Sequence, residues 1–313
     1  MTAPSPRPFR FSLQGSGISS PAEWTELARK AEDLGYSALS MSDHFDDQFA
    51  PLIGLTAAAA ATTDLRLLTL VLANDYRHPV LLAKEAASLD LFSSGRLELG
   101  IGAGWMQADY EGAGLAYDRP GIRIERLGEA VTVVKGLLRA EPFQFAGEHY
   151  QVDMTGYPAP HQRPHPPIMI AGGGRKILSL AGQHADIVGL NPGLAAGVID
   201  HRAGPTATAN ATDQKLAWIK AAAAERFPAI ELQTRIHLAM ITDDRDAVAE
   251  AMAGALGLTT DEAKTSPHQL VGSVNECIET LHAWRERWGI TYIGLSHAAI
   301  DDMAPVVAAL TGA

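Results

Sequence analysis

The chain has 313 residues, of which 47% are apolar, and a formal net charge of −11. That is enough for one large α/β domain or two smaller ones, and the acidic balance argues against a nucleic-acid binder, whose affinity comes largely from Lys and Arg. No apolar run approaches the ~18 residues of a membrane-spanning helix, and a single cysteine, Cys277, excludes an intrachain disulfide and fits a cytoplasmic protein. The segment MTAPSPRPFRF carries no apolar stretch of signal-peptide length, and residues 1–8 read as a flexible, proline-rich lead-in. No CxxC or HExxH metal spacing is present, and no GxSxG elbow.

In chain order, Arg10 to Gln14 is a short strand closed by Gly15-Ser16-Gly17. Ser20 caps a helix with Pro21 at its first position, Glu23 three residues on and Gly35 at its end. Tyr36 to Ser42 is a second strand, followed directly by Asp43-His44-Phe45, and Pro51 to Thr62 an alanine-rich helix. Leu65 to Leu72 is a continuous apolar strand ended by Ala73-Asn74. Helix Pro79 to Phe92 and strand Arg96 to Gly102 follow, then a long amphipathic helix, Pro120 to Leu138. An excursion rich in aromatics and prolines, Glu141 to His165, interrupts the alternation with a short β element.

Pro167 to Pro192 then reads strand, glycine turn, helix, strand, with Gly172-Gly173-Gly174 ahead of Arg175-Lys176. Gly193 to Thr212 is a long Gly, Ala, Pro and Thr-rich loop. Helix Asp213 to Phe227, strand Glu231 to Ile241, helix Asp246 to Leu256 and a short connector near residues 266–272 come next. A helix capped by Ser273, strand Ile290 to Ser296 and helix Met303 to Leu310 complete the chain. Eight strand-then-helix units without a mid-chain linker point to a (β/α)8 TIM barrel as one domain over residues 1–313, although periodicity alone also permits a doubly wound sheet.

In a barrel the active site lies at the C-terminal ends of the strands. That rule selects Gln14, Asp43-His44, Ala73-Asn74, Gly102 to Trp105, Gly172 to Arg175, Asn191 and Ser296-His297. His44 is a candidate proton donor or acceptor near neutral pH. Asp43 either sets the tautomer of His44 or accepts bonds from loop N–H groups. Asn74 can aim an amide at a flat heteroaromatic ring, or merely end a turn. Trp105, Met106 and Tyr110 can wall a pocket for a planar ligand. The three glycines let backbone N–H groups approach an anion at a helix N-terminus; equally, they can form a tight turn that binds nothing.

The segments SDHF at Ser42 to Phe45, SSGRLELGIGAGW at Ser93 to Trp105 and AGGGR at Ala171 to Arg175 resemble the luciferase-like flavin and deazaflavin oxidoreductases. Within them the chain is most similar to the coenzyme F420-dependent branch of actinobacteria. The resemblance implies a deazaflavin in the barrel mouth, with FMN the alternative. Its ring is backed by Leu72, Ala73 and Asn74, with a non-proline cis peptide at Ala73-Asn74. Asp43 and His44 contact the ring, Gly102, Ala103 and Gly104 flank it, and Gly172, Gly173, Gly174 and Arg175 hold the phosphate, near Asn191. Gln14 and Trp105 face the substrate. The implied activity is hydride transfer between F420 and a small organic substrate; the FMN alternative is a monooxygenase using molecular oxygen. No metal is implied, and a homodimer is expected. The sugar-phosphate dehydrogenases of the branch carry a catalytic glutamate where this chain has Trp105, and a tryptophan where it has Gln48, so sugar-phosphate oxidation is not expected.

Overall fold

The computed structural model describes residues 7–156, 158–198 and 200–313. The expected lead-in falls mostly on residues 1–6, outside that range, and Arg7 is already docked, donating to the carbonyl of Ala229 at 2.6 Å.

Strands β1 (Arg10–Gln14), β2 (Ala38–Met41), β3 (Arg66–Thr69), β4 (Leu72–Ala73) and β5 (Leu97–Gly102) alternate with helices α1 (Pro21–Asp33), α2 (Pro51–Ala61) and α3 (Pro79–Phe92). Two helices follow, α4 (Gln107–Ala113) and α5 (Pro120–Leu138). The excursion is an antiparallel hairpin of β6 (Phe143–Ala146) and β7 (Gln151–Met154). Then come β8 (Ile168–Gly172), α6 (Arg175–His184), β9 (Ile187–Leu190), α7 (Ala209–Ala223) and β10 (Glu231–Arg235). The last quarter holds β11 (Leu238–Ile241), α8 (Arg245–Leu256), α9 (Thr260–Thr265), β12 (Gln269–Gly272), α10 (Val274–Trp288), β13 (Ile290–Ser296) and α11 (Ile300–Leu310).

The parallel sheet runs β3-β2-β1-β13-β10-β9-β8-β5, and pairing of β3 with β5 through Leu67 and Leu97 closes it. With β4 continuing the stave of β3, the closed sheet has eight staves and is a TIM barrel. Closure leaves no exposed strand edge in the main sheet.

Local signals set many boundaries. Ser20 accepts from the amide of Glu23 and caps α1, and Gly35, at φ +81°, lets the chain leave it. Ser273 and Glu276 form a reciprocal capping box on α10. One large apolar cluster fills the layer between strands and helices, from Phe11, Leu13 and Leu39 to Leu127, Val131 and Leu295. Each such buried side chain contributes about 1.5–3 kcal/mol against exposure.

Side chains that alternate inward fill the barrel itself. At its floor Arg10 pairs with Glu98 and with Glu231, Arg66 reaches Glu98 at 2.6 Å, and the hydroxyl of Tyr292 donates to Glu98 at 3.0 Å. Above lies a small apolar layer that includes Leu68, Leu70, Met169 and Ile187.

Several sequence expectations are corrected. The apolar run from Leu65 to Leu72 is not one strand: it breaks between β3 and β4, where the Leu70–Val71 peptide is cis, three residues before the expected Ala73–Asn74. Glu231 to Ile241 divides into β10, in the barrel, and β11, which pairs with β12 in a separate two-stranded sheet. The connector near 266–272 contains β12. The loop from Gly193 to Thr212 holds a 3-10 segment at His201–Thr206, and α7 begins inside it, at Ala209. Hydrophobic runs do not reveal such breaks, because both halves of each run are apolar strands that pair in a sheet.

Candidate active site

The strand ends surround a cavity of about 390 Å³, within the usual range for a small-ligand site. Among the expected residues, Asp43, His44, Ala73, Gly102, Ala103, Gly104, Trp105, Gly172, Gly173, Gly174, Arg175 and Asn191 line it. Leu70 and Val71, the two residues of the cis peptide, form part of its wall. Of the residues expected to touch cofactor or substrate, three do not line it, and neither do Ser296, His297 and Tyr110. Leu72 points outward into the main apolar cluster, because side chains alternate along a strand. Asn74 is buried and its amide donates to the hydroxyl of Tyr150 at 3.1 Å. Gln14, at the end of β1, accepts from Arg235 Nε at 2.7 Å instead.

His44 sits in the turn after β2, with Nδ1 2.7 Å from Asp109 Oδ2. The carboxylate that orients the ring is therefore not its neighbour Asp43 but a residue of α4. An ionised carboxylate only accepts, so Nδ1 carries the proton and Nε2 is left without a partner among the described residues. The same Asp109 oxygen accepts from the hydroxyl of Tyr76 at 3.3 Å. Burial, and after it the charge of Asp109, pushes the Tyr76 phenol well above its ordinary value, so it remains a donor. The Trp105 ring meets His44 edge-on at 5.7 Å.

Asp43 is held elsewhere. Arg77 grips both of its oxygens, at 2.7 and 3.1 Å, and the amide of Ala73 donates to it at 2.9 Å. Of the two roles open to it in the sequence, the structure shows the acceptor for a loop N–H. It ties the turn after β2 to the end of β4, and with its charge already matched by Arg77 it is a fixed wall.

Gly102 to Trp105 come so close to α4 that a side chain at Gly104 would overlap the Tyr110 hydroxyl, and Gly104 has φ +73°. On the neighbouring stave β8 passes into α6. A Cβ at Gly173 would lie 2.3 Å from the carbonyl oxygen of Pro192, whereas Gly174, the N-cap of α6, faces open space. Free amides at this helix start favour an anion.

Arg123 and Asp109 are residues that sequence reasoning missed. Arg123 is the more telling. It lines the cavity from α5, is 3% exposed, and its Nε and Nη1 have no hydrogen-bond partner. Its guanidinium lies 4.1 Å over the Tyr117 ring, and among the described residues no carboxylate pairs with it. An arginine buried without an anion is costly unless one arrives. The signal was in the sequence: Arg123 stands four residues before Leu127, on the buried stripe of α5, while its neighbour Ile122 is 36% exposed. Asp109 was missed because α4 is seven residues long and has no clear hydrophobic period.

Lys215 of α7 lies behind Asn191. It is buried, and its ammonium donates to the carbonyls of Asn191 at 2.6 Å and Thr206 at 2.7 Å. Burial pulls it down to about 8. It ties the segment after β9 to the barrel rim. Among the described residues no cluster of His, Cys, Asp and Glu could hold a metal ion, and no helix is long and apolar enough to cross a membrane.

Residues 7–269 match the family described as luciferase-like monooxygenase. The chain is 36% identical over 191 residues to an F420-dependent glucose-6-phosphate dehydrogenase of Kineococcus radiotolerans, covering 58% of this chain and 56% of that one. It is 29% identical over 168 residues to an FMNH2-dependent dimethylsulfone monooxygenase of Pseudomonas putida, covering 51% and 46%. The chain thus spans about half the length of the curated relatives it matches. Among solved structures, the coenzyme F420-dependent tetrahydromethanopterin reductase of Methanopyrus kandleri superposes with a TM-score of 0.77 at 17% identity, covering 97% of this chain and all of that one, a likeness of fold.

Proposed function

Since the chain belongs to the luciferase-like monooxygenase family, we propose that it is an F420-dependent oxidoreductase acting on a small organic substrate, with His44 as the group that gives or takes the proton. The observation that carries this reading is the His44–Asp109 pair at the wall of a cavity that also holds an unpaired cation, Arg123. The residues present fit a phosphorylated deazaflavin. Arg123 lacks an anion, the start of α6 offers amides beside Gly173 and Gly174, and the Leu70–Val71 wall offers an apolar back to a flat ring. Bound there, the cofactor supplies or accepts the hydride.

The protein's own work is to hold geometry and protons. Asp109 and Tyr76 fix the imidazole so that Nε2 is available to a heteroatom of the substrate. Trp105, beside His44, contributes an apolar wall that limits water around the proton transfer. Arg123 and the α6 N-terminus neutralise the phosphate. Where the sugar-phosphate dehydrogenases resembled carry a catalytic glutamate, Trp105 offers none, and Gln48 is occupied with the carbonyl of Ser42 at 2.9 Å. That supports a substrate other than a sugar phosphate.

A second reading, an FMN-dependent monooxygenase, is favoured by the relative from Pseudomonas putida. Calorimetric titration of the purified protein with F420 and with FMN separates the two. Micromolar or tighter F420 binding with weaker FMN binding supports the first; FMN binding alone replaces it with the second. A homodimer is part of the proposal, with the exposed Ile53 of α2 and Phe92 of α3 at its contact. Sedimentation equilibrium showing a monomer removes that part.

A further inference from the structure

The flank of the barrel mouth formed by β10, β13 and β1 carries an arginine of its own. Arg235 ends β10 and spans β13 to reach Gln14 of β1: Nε donates to Gln14 Oε1 at 2.7 Å, and Nη1 to the carbonyls of Gly294, at 3.3 Å, and Ile236. These partners are all neutral, and among the described residues no carboxylate lies within ion-pair distance. Nη2 has no acceptor among the described residues. Burial alone pulls the guanidinium down to about 10, with no neighbouring anion to hold it up. The other interior arginines, Arg10 and Arg66, are both paired with Glu98 at the floor.

A second observation marks the same flank. Directly below, Ser12 Oγ and Gln233 Nε2 are buried without hydrogen-bond partners. Their place in the barrel interior is fixed by Gly294, whose added Cβ would lie 2.5 Å from Gln233 Nε2 and 3.4 Å from Ser12 Oγ. Gly189 links this flank to the cavity. Its added Cβ would meet both Ala171, which lines the cavity, and Gln233 Oε1. Native interiors rarely leave such donors unsatisfied, and a lone buried guanidinium rarer still, unless a polar ligand occupies the place.

We propose that Arg235, steadied by Gln14, is the anchor for a carboxylate on the substrate, which would lie between this flank and the His44 side of the mouth. The placement of the reacting end rests on the function proposed above; the anion site itself does not. One guanidinium with a free edge suits a planar monoanion, whereas a phosphate dianion calls for a second cation. Lys215 is committed to two carbonyls and supplies none.

The test compares benzoate with its neutral isostere benzamide, by calorimetry, on the protein saturated with F420 and on the protein alone. The wild type is expected to bind benzoate and to bind benzamide at least about tenfold more weakly, the cost of losing one charge-assisted pair. Arg235→Gln should lose that preference while keeping its affinity for F420, and Arg235→Lys should keep part of it, which separates charge from folding. Equal binding of benzoate and benzamide, or benzoate binding unchanged in Arg235→Gln, overturns the anchor. Inorganic phosphate binding more tightly than benzoate overturns the assignment to a carboxylate. Loss of F420 affinity in Arg235→Gln would place Arg235 in the cofactor site and overturn the proposal. If no F420 binds at all, the measurement on the protein alone still decides the anchor, and only the function proposed above falls.

Discussion

At the scale of single residues, chemistry depends on which partner each side chain finds. Asp43 and His44 are neighbours in the chain, yet their side chains part company, one to Arg77 and the other to Asp109. Their adjacency made His44 visible in the sequence and made the wrong carboxylate conspicuous. The true partner is sixty-five residues away, a pairing that only folding can bring about. The expected result of His44→Ala is a fall in turnover of about a hundredfold or more, the usual worth of a positioned acid–base group, with cofactor affinity little changed. Asp109→Asn should give a smaller loss and a shifted pH–rate profile, since it alters the orientation and charge around the imidazole without removing it. Steady-state kinetics over pH on a turned-over substrate checks both, and unchanged turnover in His44→Ala refutes the role. Arg123 teaches a different lesson. A charged residue on the buried stripe of an amphipathic helix is a local conflict, and such conflicts concentrate at functional sites.

At the scale of elements, the junction of β8 and α6 is the most informative. The three glycines were legible as a strand-to-helix turn, but they are not equivalent. Gly173 has no room for a side chain, so a substitution there tests packing as much as binding. Gly174 has room, and its φ of −102° and ψ of 159° suit any residue. Aspartate is a favoured N-cap and its charge suits a helix start, so Gly174→Asp should leave the melting temperature unchanged or slightly raised. The same carboxylate would occupy the amides and repel a phosphate, weakening the phosphorylated cofactor by about tenfold or more, the scale of a lost charge-assisted contact. Melting and calorimetry on one preparation check both halves. Full cofactor affinity in this variant would show that the phosphate lies elsewhere. The break between β3 and β4 was not legible, because an apolar run carries no mark of where its backbone leaves the ladder.

At the scale of the whole molecule, the barrel is pinned by charge at its floor and opened for binding at its mouth. Glu98 is buried between Arg10 and Arg66, which hold its carboxyl below the ordinary value against the opposing cost of burial. Removing it leaves Arg10 with Glu231 alone and Arg66 without its carboxylate, so Glu98→Ala should cost about 3–5 kcal/mol in denaturant unfolding. The pH dependence follows from the direction of the shift. A carboxyl depressed in the folded state contributes its stability above its unfolded pKa, about 4.3, and that contribution is lost as pH falls through the folded value. The gap in stability between wild type and Glu98→Ala should therefore be widest near neutrality and narrow on acidification below about pH 4. A gap independent of pH would mean that Glu98 acts through packing alone.

By itself the sequence determined the alternation of strands and helices, the caps of α1 and α10, and the set of residues at the strand ends. These depend on short-range periodicity and on the conformational preferences of Ser, Pro and Gly, which are local properties. Only the tertiary structure decided which carboxylate serves His44, that Arg123 and Arg235 stand without anions on different sides of the mouth, and that Leu72 and Asn74 turn away from the cavity. The reason is physical: the preference of a charged side chain for one partner over another is settled by distance and burial, and both arise when staves far apart in the chain close into one barrel.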